Sequence, residues 1–125
     1  MTLEKAIEAF DAERSNGVSM AEKLRWISQL DYKISSEITR PRGDDEFMGY
    51  TVSTPLDTVL KAPDEYGELY PLYLNMKLDY MNGELARFNN SALLFNNMYR
   101  DMSNFVNRQR AVLKQTEIKA GDLYV

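Results

Sequence analysis

Apolar positions along the chain fall into two periodic blocks separated by an aperiodic stretch. In the first block Leu3, Ala6, Ile7 and Phe10 sit at i, i+3, i+4 and i+7 with charged residues between them, which predicts an amphipathic helix over about residues 2–14. Thr2 is placed to cap it, and Ser15-Asn16-Gly17 supplies a stop, Gly17 being able to take the left-handed conformation. Ser19 then opens a second helix, with Glu22 completing a capping box. Met20, Leu24, Ile27, Leu30, Ile34 and Ile38 form its apolar stripe, and Pro41 and Gly43 end it, so it spans about 19–38. A connection this short predicts an antiparallel helix pair.

The second block carries the strongest signal. Leu74, Leu78, Met81, Leu85, Phe88, Ala92, Phe95, Tyr99, Met102 and Val106 step alternately by four and three, a heptad-type seam. Leu69, Tyr73, Met76 and Tyr80 widen the apolar face upstream, and Pro71 suits a first helical turn. Asn82-Gly83 lies inside this pattern and can split it into a helical hairpin. The 4–3 phase runs through without slipping, which favours one long helix over about 66–110, with Gly83 as a close-approach point. Residues 111–125 have no sustained period and read as a loose tail.

Between the blocks, 39–65 holds Pro41, Gly43, Gly49, Pro55 and Pro63 and the acidic run Asp44-Asp45-Glu46. Tyr50 to Thr54 alternates weakly and suits a short strand or half of a β-hairpin. Phe47, Met48, Tyr50, Val52, Leu56, Val59 and Leu60 argue against a floppy linker and for a loop packed against something. The predicted fold class is therefore all-α: an N-terminal antiparallel helix pair packed on one long C-terminal helix, with a long extended loop between. All of this forms a single domain over about residues 1–110.

Composition narrows the chemistry. The chain has 125 residues, no cysteine and no histidine, which removes disulfides, thiol nucleophiles, the commonest general base and the commonest transition-metal ligands. Net charge is −4, against bulk nucleic-acid binding, and no apolar run approaches the length of a membrane helix. Met1 to Phe10 is amphipathic and charged, unlike a signal peptide, so a cytosolic protein is expected. Asp44, Asp45 and Glu46 offer oxygen ligands for a hard cation, but no ligand register follows them and a solvated acidic loop explains them better. Asp79 and Glu84 fit surface helix positions better than acid–base work. No glycine-rich phosphate loop is present, and Tyr66, Tyr70, Tyr73 and Tyr80 read as core and interface packing. Catalytic residues, cofactors and metals are therefore expected to be none. Asn82, Asn89, Asn90, Asn96, Asn97, Asn104 and Asn107 crowd one predicted helix although asparagine is a mediocre helix former, which suits a surface that hydrogen-bonds another chain.

The run from Tyr73 to Tyr99 resembles small structural proteins of tailed phages and prophages of Gram-positive bacteria. The matching residues are Asp79, Tyr80, Asn82, Gly83, Glu84, Ala86, Arg87, Phe88, Asn89, Asn90, Ser91, Leu94, Phe95 and Asn96. Ser19 to Asp31 is similar to the same group, whereas the chain beyond Arg110 is not. The resemblance implies a head-completion or head–tail connector protein that assembles as a ring on the portal. The implied partners are the portal protein, neighbouring neck or tail proteins and further copies of the chain. There is no membrane and no sequence-specific nucleic acid, although DNA would pass through the ring. The implied location is the host bacterial cytoplasm during assembly and then the virion neck. The alternative is a non-phage helical interaction module, a coiled-coil dimer or regulatory partner.

Charge adds an expected subunit contact. Residues 41–70 carry a net −5 and residues 71–110 a net +2, so an acidic loop on one copy suits a more basic helix on the next. The candidate interface residues are Asp44, Asp45, Glu46, Arg87, Asn89, Asn90 and Arg100.

Overall fold

A computed structural model describes residues 1–39 and 46–122, with side chains as far as Leu113. Helix α1 (Leu3–Glu13) begins where the extended Thr2 accepts a hydrogen bond at Oγ1 from the Lys5 amide, and buries Leu3, Ala6, Ile7 and Phe10. Its end differs from the expected glycine stop. Arg14 turns extended, and Asn16 organises the corner by donating to Asp11 and to the Arg14 carbonyl while accepting from the Val18 amide. An Asx-type side chain thus supplies the turn, and Gly17 is not among the glycines with positive φ.

Helix α2 (Met20–Ile34) starts at Ser19, whose Oγ accepts from the Glu22 amide as expected. Past Ile34 the backbone widens into a π-helical turn, Ser35–Thr39. Leu24, Ile27, Leu30, Ile34 and Ile38 are all buried. The expected antiparallel pairing of α1 with α2 is not the main packing. Each lies chiefly against a third helix, and α1 and α2 are linked by Lys23, which bridges to Asp11 (2.8 Å) and sits over the Phe10 ring.

That third helix, α3 (Leu69–Met81), is apolar nearly all round, as a helix with neighbours on several sides must be. It packs on α1, α2 and α4 (Leu85–Asp122). One long helix over 66–110 is therefore corrected to two. Gly83 takes φ +71°, its amide donates to the Tyr80 carbonyl (3.1 Å), and the Glu84 amide donates to the Asp79 carbonyl (2.9 Å). Those two bonds across a left-handed glycine are the Schellman close of a helix. α3 and α4 run antiparallel, with ring contacts Tyr80–Phe88, Tyr73–Phe95 and Tyr66–Phe105 symmetric about the turn. The seam is real but folds back on itself. Leu74, Leu78, Phe95 and Met102 are buried, while Met81 and Leu85 at the turn are exposed.

Gly83→Ala tests this turn by its sign. Nothing lies within 4 Å of the added Cβ, so the cost is left-handed backbone alone, about 1–2 kcal/mol of destabilisation by urea midpoint. In an uninterrupted helix the same change would instead stabilise by about 1 kcal/mol.

The loop is held without strands among the described residues, so the expected short strand or hairpin at Tyr50 to Thr54 is replaced by a turn. Its far end runs beside the start of α1, with Leu3 and Glu4 amides donating to Thr58 and Leu56 carbonyls (3.0 Å each) and an isolated Thr2–Val59 bridge. The loop's apolar residues divide: Leu60 is buried and Phe47 and Tyr50 half-buried, whereas Met48, Val52, Leu56 and Val59 are exposed. Residues 111–122, expected to be a loose tail, continue α4.

Candidate interaction surface

Two buried carboxylates fasten the elements that shape the surface. Asp31 lies within the apolar stripe of α2 and has no exposed surface. It accepts hydrogen bonds from the Tyr50 hydroxyl (2.5 Å), the Tyr70 hydroxyl (2.6 Å) and the Lys61 amide (3.3 Å). The Tyr70 oxygen in turn accepts from the Ala62 amide (2.8 Å), and the Tyr50 amide donates to Ser28 Oγ (2.9 Å). Burial raises the Asp31 pKa despite these donors. Burial, then the neighbouring Asp31 charge, pushes the Tyr70 hydroxyl far up, so it stays a hydrogen-bond donor. With its oxygens occupied by protein donors, Asp31 ties the loop to α2 and α3.

Asp79 is the second, and it corrects the surface reading of that residue. It is 2% exposed, bonded by Arg14 from the end of α1 and by Ser91 Oγ of α4 (3.0 Å). One carboxylate thereby joins α1, α3 and α4.

Around Asp79 these three helices enclose an open groove. Leu72, Asn75 and Asp79 share one face of α3, and Arg87, Asn90, Ser91, Leu94 and Met98 share one face of α4, by 3.6-residue spacing. Glu13 and Arg14 close it from α1. The groove has a polar recess of about 440 Å³ and a more apolar one of about 320 Å³, with Glu13, Leu72 and Asn75 common to both. Asn75 Nδ2 donates to Glu13 (2.9 Å), while its Oδ1 is buried with no partner among the described residues.

α4 also extends well past its hairpin partner α3. Val106 still packs on the core, but Asn107, Arg108, Gln109, Val112 and Leu113 are exposed. From residue 107 to 122 the helix continues for roughly 24 Å at 1.5 Å per residue. Phe105, Arg108, Gln109, Val112 and Leu113 line a shallow recess of about 630 Å³ on it.

The expected interface residues are only partly brought together. Arg87 and Asn90 meet at the groove, with Arg87 bridged to Glu84 (3.1 Å). Asn89 and Arg100 are exposed on α4 but are not among the groove residues. Glu46 is exposed at the start of the described loop, and Asp44 and Asp45 lie outside the described residues. All seven asparagines singled out above are exposed, although Asn82 belongs to the turn rather than to α4. Glu13, Arg14 and Asn75 escaped the sequence reading because the groove needs three helices.

No family model, curated protein or solved structure matches the chain. Among the described residues no cluster of three or more acidic side chains is arranged to hold a metal ion, and no helix is long and apolar enough to cross a membrane.

Proposed function

We propose that this chain is an assembly protein, a phage or prophage adaptor of the head-completion or head–tail connector type that works as a ring on the portal. The observation that carries the assembly reading is the mismatch between α3, 13 residues, and α4, 38 residues. Its hairpin partner ends long before α4 does, and Val112 and Leu113 are about three-fifths exposed on the extension. A helix that continues past its hairpin partner with exposed apolar side chains suits docking on a partner. The exposed asparagines add hydrogen-bonding capacity without charge selectivity. The phage assignment rests on the Tyr73 to Tyr99 resemblance. The same long helix suits a non-phage helical interaction module, which is the second reading.

Light scattering of the purified protein, alone and with a portal protein, separates the two. The adaptor reading expects a complex holding several copies of this chain per portal ring. A dimer that ignores the portal would overturn it in favour of the interaction module.

A further inference from the structure

We infer that the α1/α3/α4 groove is the receptor for the distal α4 of a second copy of this chain, a head-to-tail contact. This rests on the assembly reading and names the partner and both of its surfaces.

The groove is acidic once its internal pairs are counted. Arg14 is engaged with Asp79 and Arg87 with Glu84, which leaves the carboxylates of Glu13 and Glu68 at its edge. The segment 105–113 carries Arg108 and Arg110 and no acidic residue. Opposite charge therefore faces opposite charge when one copy's helix enters the next copy's groove. Apolar surface matches as well: Leu72, Leu94 and Met98 form one end of the groove, and Val112 and Leu113 are the exposed large apolar side chains of the segment, whereas Phe105 packs on Tyr66 and Val106 on the core.

Size and hydrogen bonding agree. The α3 side of the groove, from Glu68 to Asp79, is about 16 Å long, and a helical segment 105–113 is about 12 Å at 1.5 Å per residue. Asn75 lines both recesses, and its buried Oδ1 has no donor among the described residues, while an arginine side chain brings five N–H donors. A buried acceptor that gains its donor only on docking favours the docked state.

Because groove and helix are different patches, the contact is heterologous. It closes into a ring if the rotation between copies permits and otherwise extends as a filament. A self-pairing of α4 with α4 would bury one patch twice and leave the groove empty.

The test is complementation followed by sedimentation velocity from micromolar to millimolar protein. Leu113→Asp disables the helix and Leu94→Asp the groove. Both side chains are more than half exposed, so helical circular dichroism and melting should match the parent, and Leu94→Arg serves as a second groove variant. The parent should self-associate with rising concentration, less so at high salt. Each variant alone should stay monomeric, with association weakened about tenfold or more. An equimolar mixture should form a 1:1 dimer and stop, because one intact groove meets one intact helix. A parent that is monomeric throughout overturns the inference. So does a groove variant that associates like the parent, which would mean helix-to-helix pairing. Portal binding is measured separately: binding without groove-dependent self-association sinks this inference alone, and self-association without portal binding sinks the phage assignment alone.

Discussion

Asp31→Ala is expected to cost about 3–5 kcal/mol, since it takes the acceptor away from three donors at a site where Asp31 and Tyr70 are fully buried. Two are the hydroxyls of Tyr50 and Tyr70, and the third is the Lys61 amide. The loss should appear as a lower urea midpoint together with faster hydrogen exchange at the Lys61 and Tyr50 amides, because the loop leaves α2 when its anchor goes. Asp31→Asn keeps the shape and one acceptor and should cost less, about 1–2 kcal/mol. An unchanged midpoint in the alanine variant would mean that the loop is held by something other than this carboxylate.

The same residue has a pH signature. Burial raises its folded pKa above the ordinary aspartate value of 3.8, so the folded state holds a proton that the unfolded state has already released. Stability from that proton is present in full below about pH 3.8 and is lost as pH rises through the folded value. Asp11, Glu22 and Glu37 move the opposite way: hydrogen bonds from Lys23, Arg25 and Lys33 respectively hold their pKa values down, and their contribution is lost on acidification. These carboxylates are common to parent and Asp31→Asn, and their effects cancel in the difference. The melting advantage of parent over Asp31→Asn should therefore grow as pH falls from neutral toward 4.

Asp31 was within reach of sequence reasoning. It stands four residues after Ile27 and three before Ile34, on the apolar stripe of its helix, and a carboxylate there must be buried with partners. Asp79 had no such signal, since it falls outside both apolar stripes of its helix. Its burial comes from Arg14 and Ser91, which only the tertiary fold delivers. The Asn82-Gly83 pair shows a different limit. A 4–3 apolar phase places side chains on one face of whatever helix carries it, and two antiparallel helices facing one core each keep that phase. Continuity of the seam therefore reports burial and is blind to the turn, while the turn chemistry of Asn-Gly was the local signal that decided. Beyond Val106 the apolar period lapses and most of residues 107–113 are exposed, so periodicity alone reads as a loose tail although the helix continues.

Phe95→Ala carries the second large effect. The ring is 4% exposed and packs against Tyr73 (5.2 Å between centroids) and Tyr99 (5.8 Å). It thus joins α4 to α3 and, through Tyr99, whose hydroxyl bonds Glu37 while Lys33 sits over its ring, to the end of α2. Truncating a buried phenylalanine costs about 3–5 kcal/mol, of which lost aromatic pairing supplies about 0.5–1.5 kcal/mol per ring contact. A small domain with a total stability of about 5–15 kcal/mol would lose a large fraction of it. The measurement is the urea midpoint at several protein concentrations. A large loss independent of concentration places Phe95 in the intrachain core. If the loss appeared only where the protein is associated, or the midpoint did not move, the seam would instead be an intersubunit surface, and the α3–α4 hairpin would have to give way to the uninterrupted helix that its 4–3 spacing first suggests.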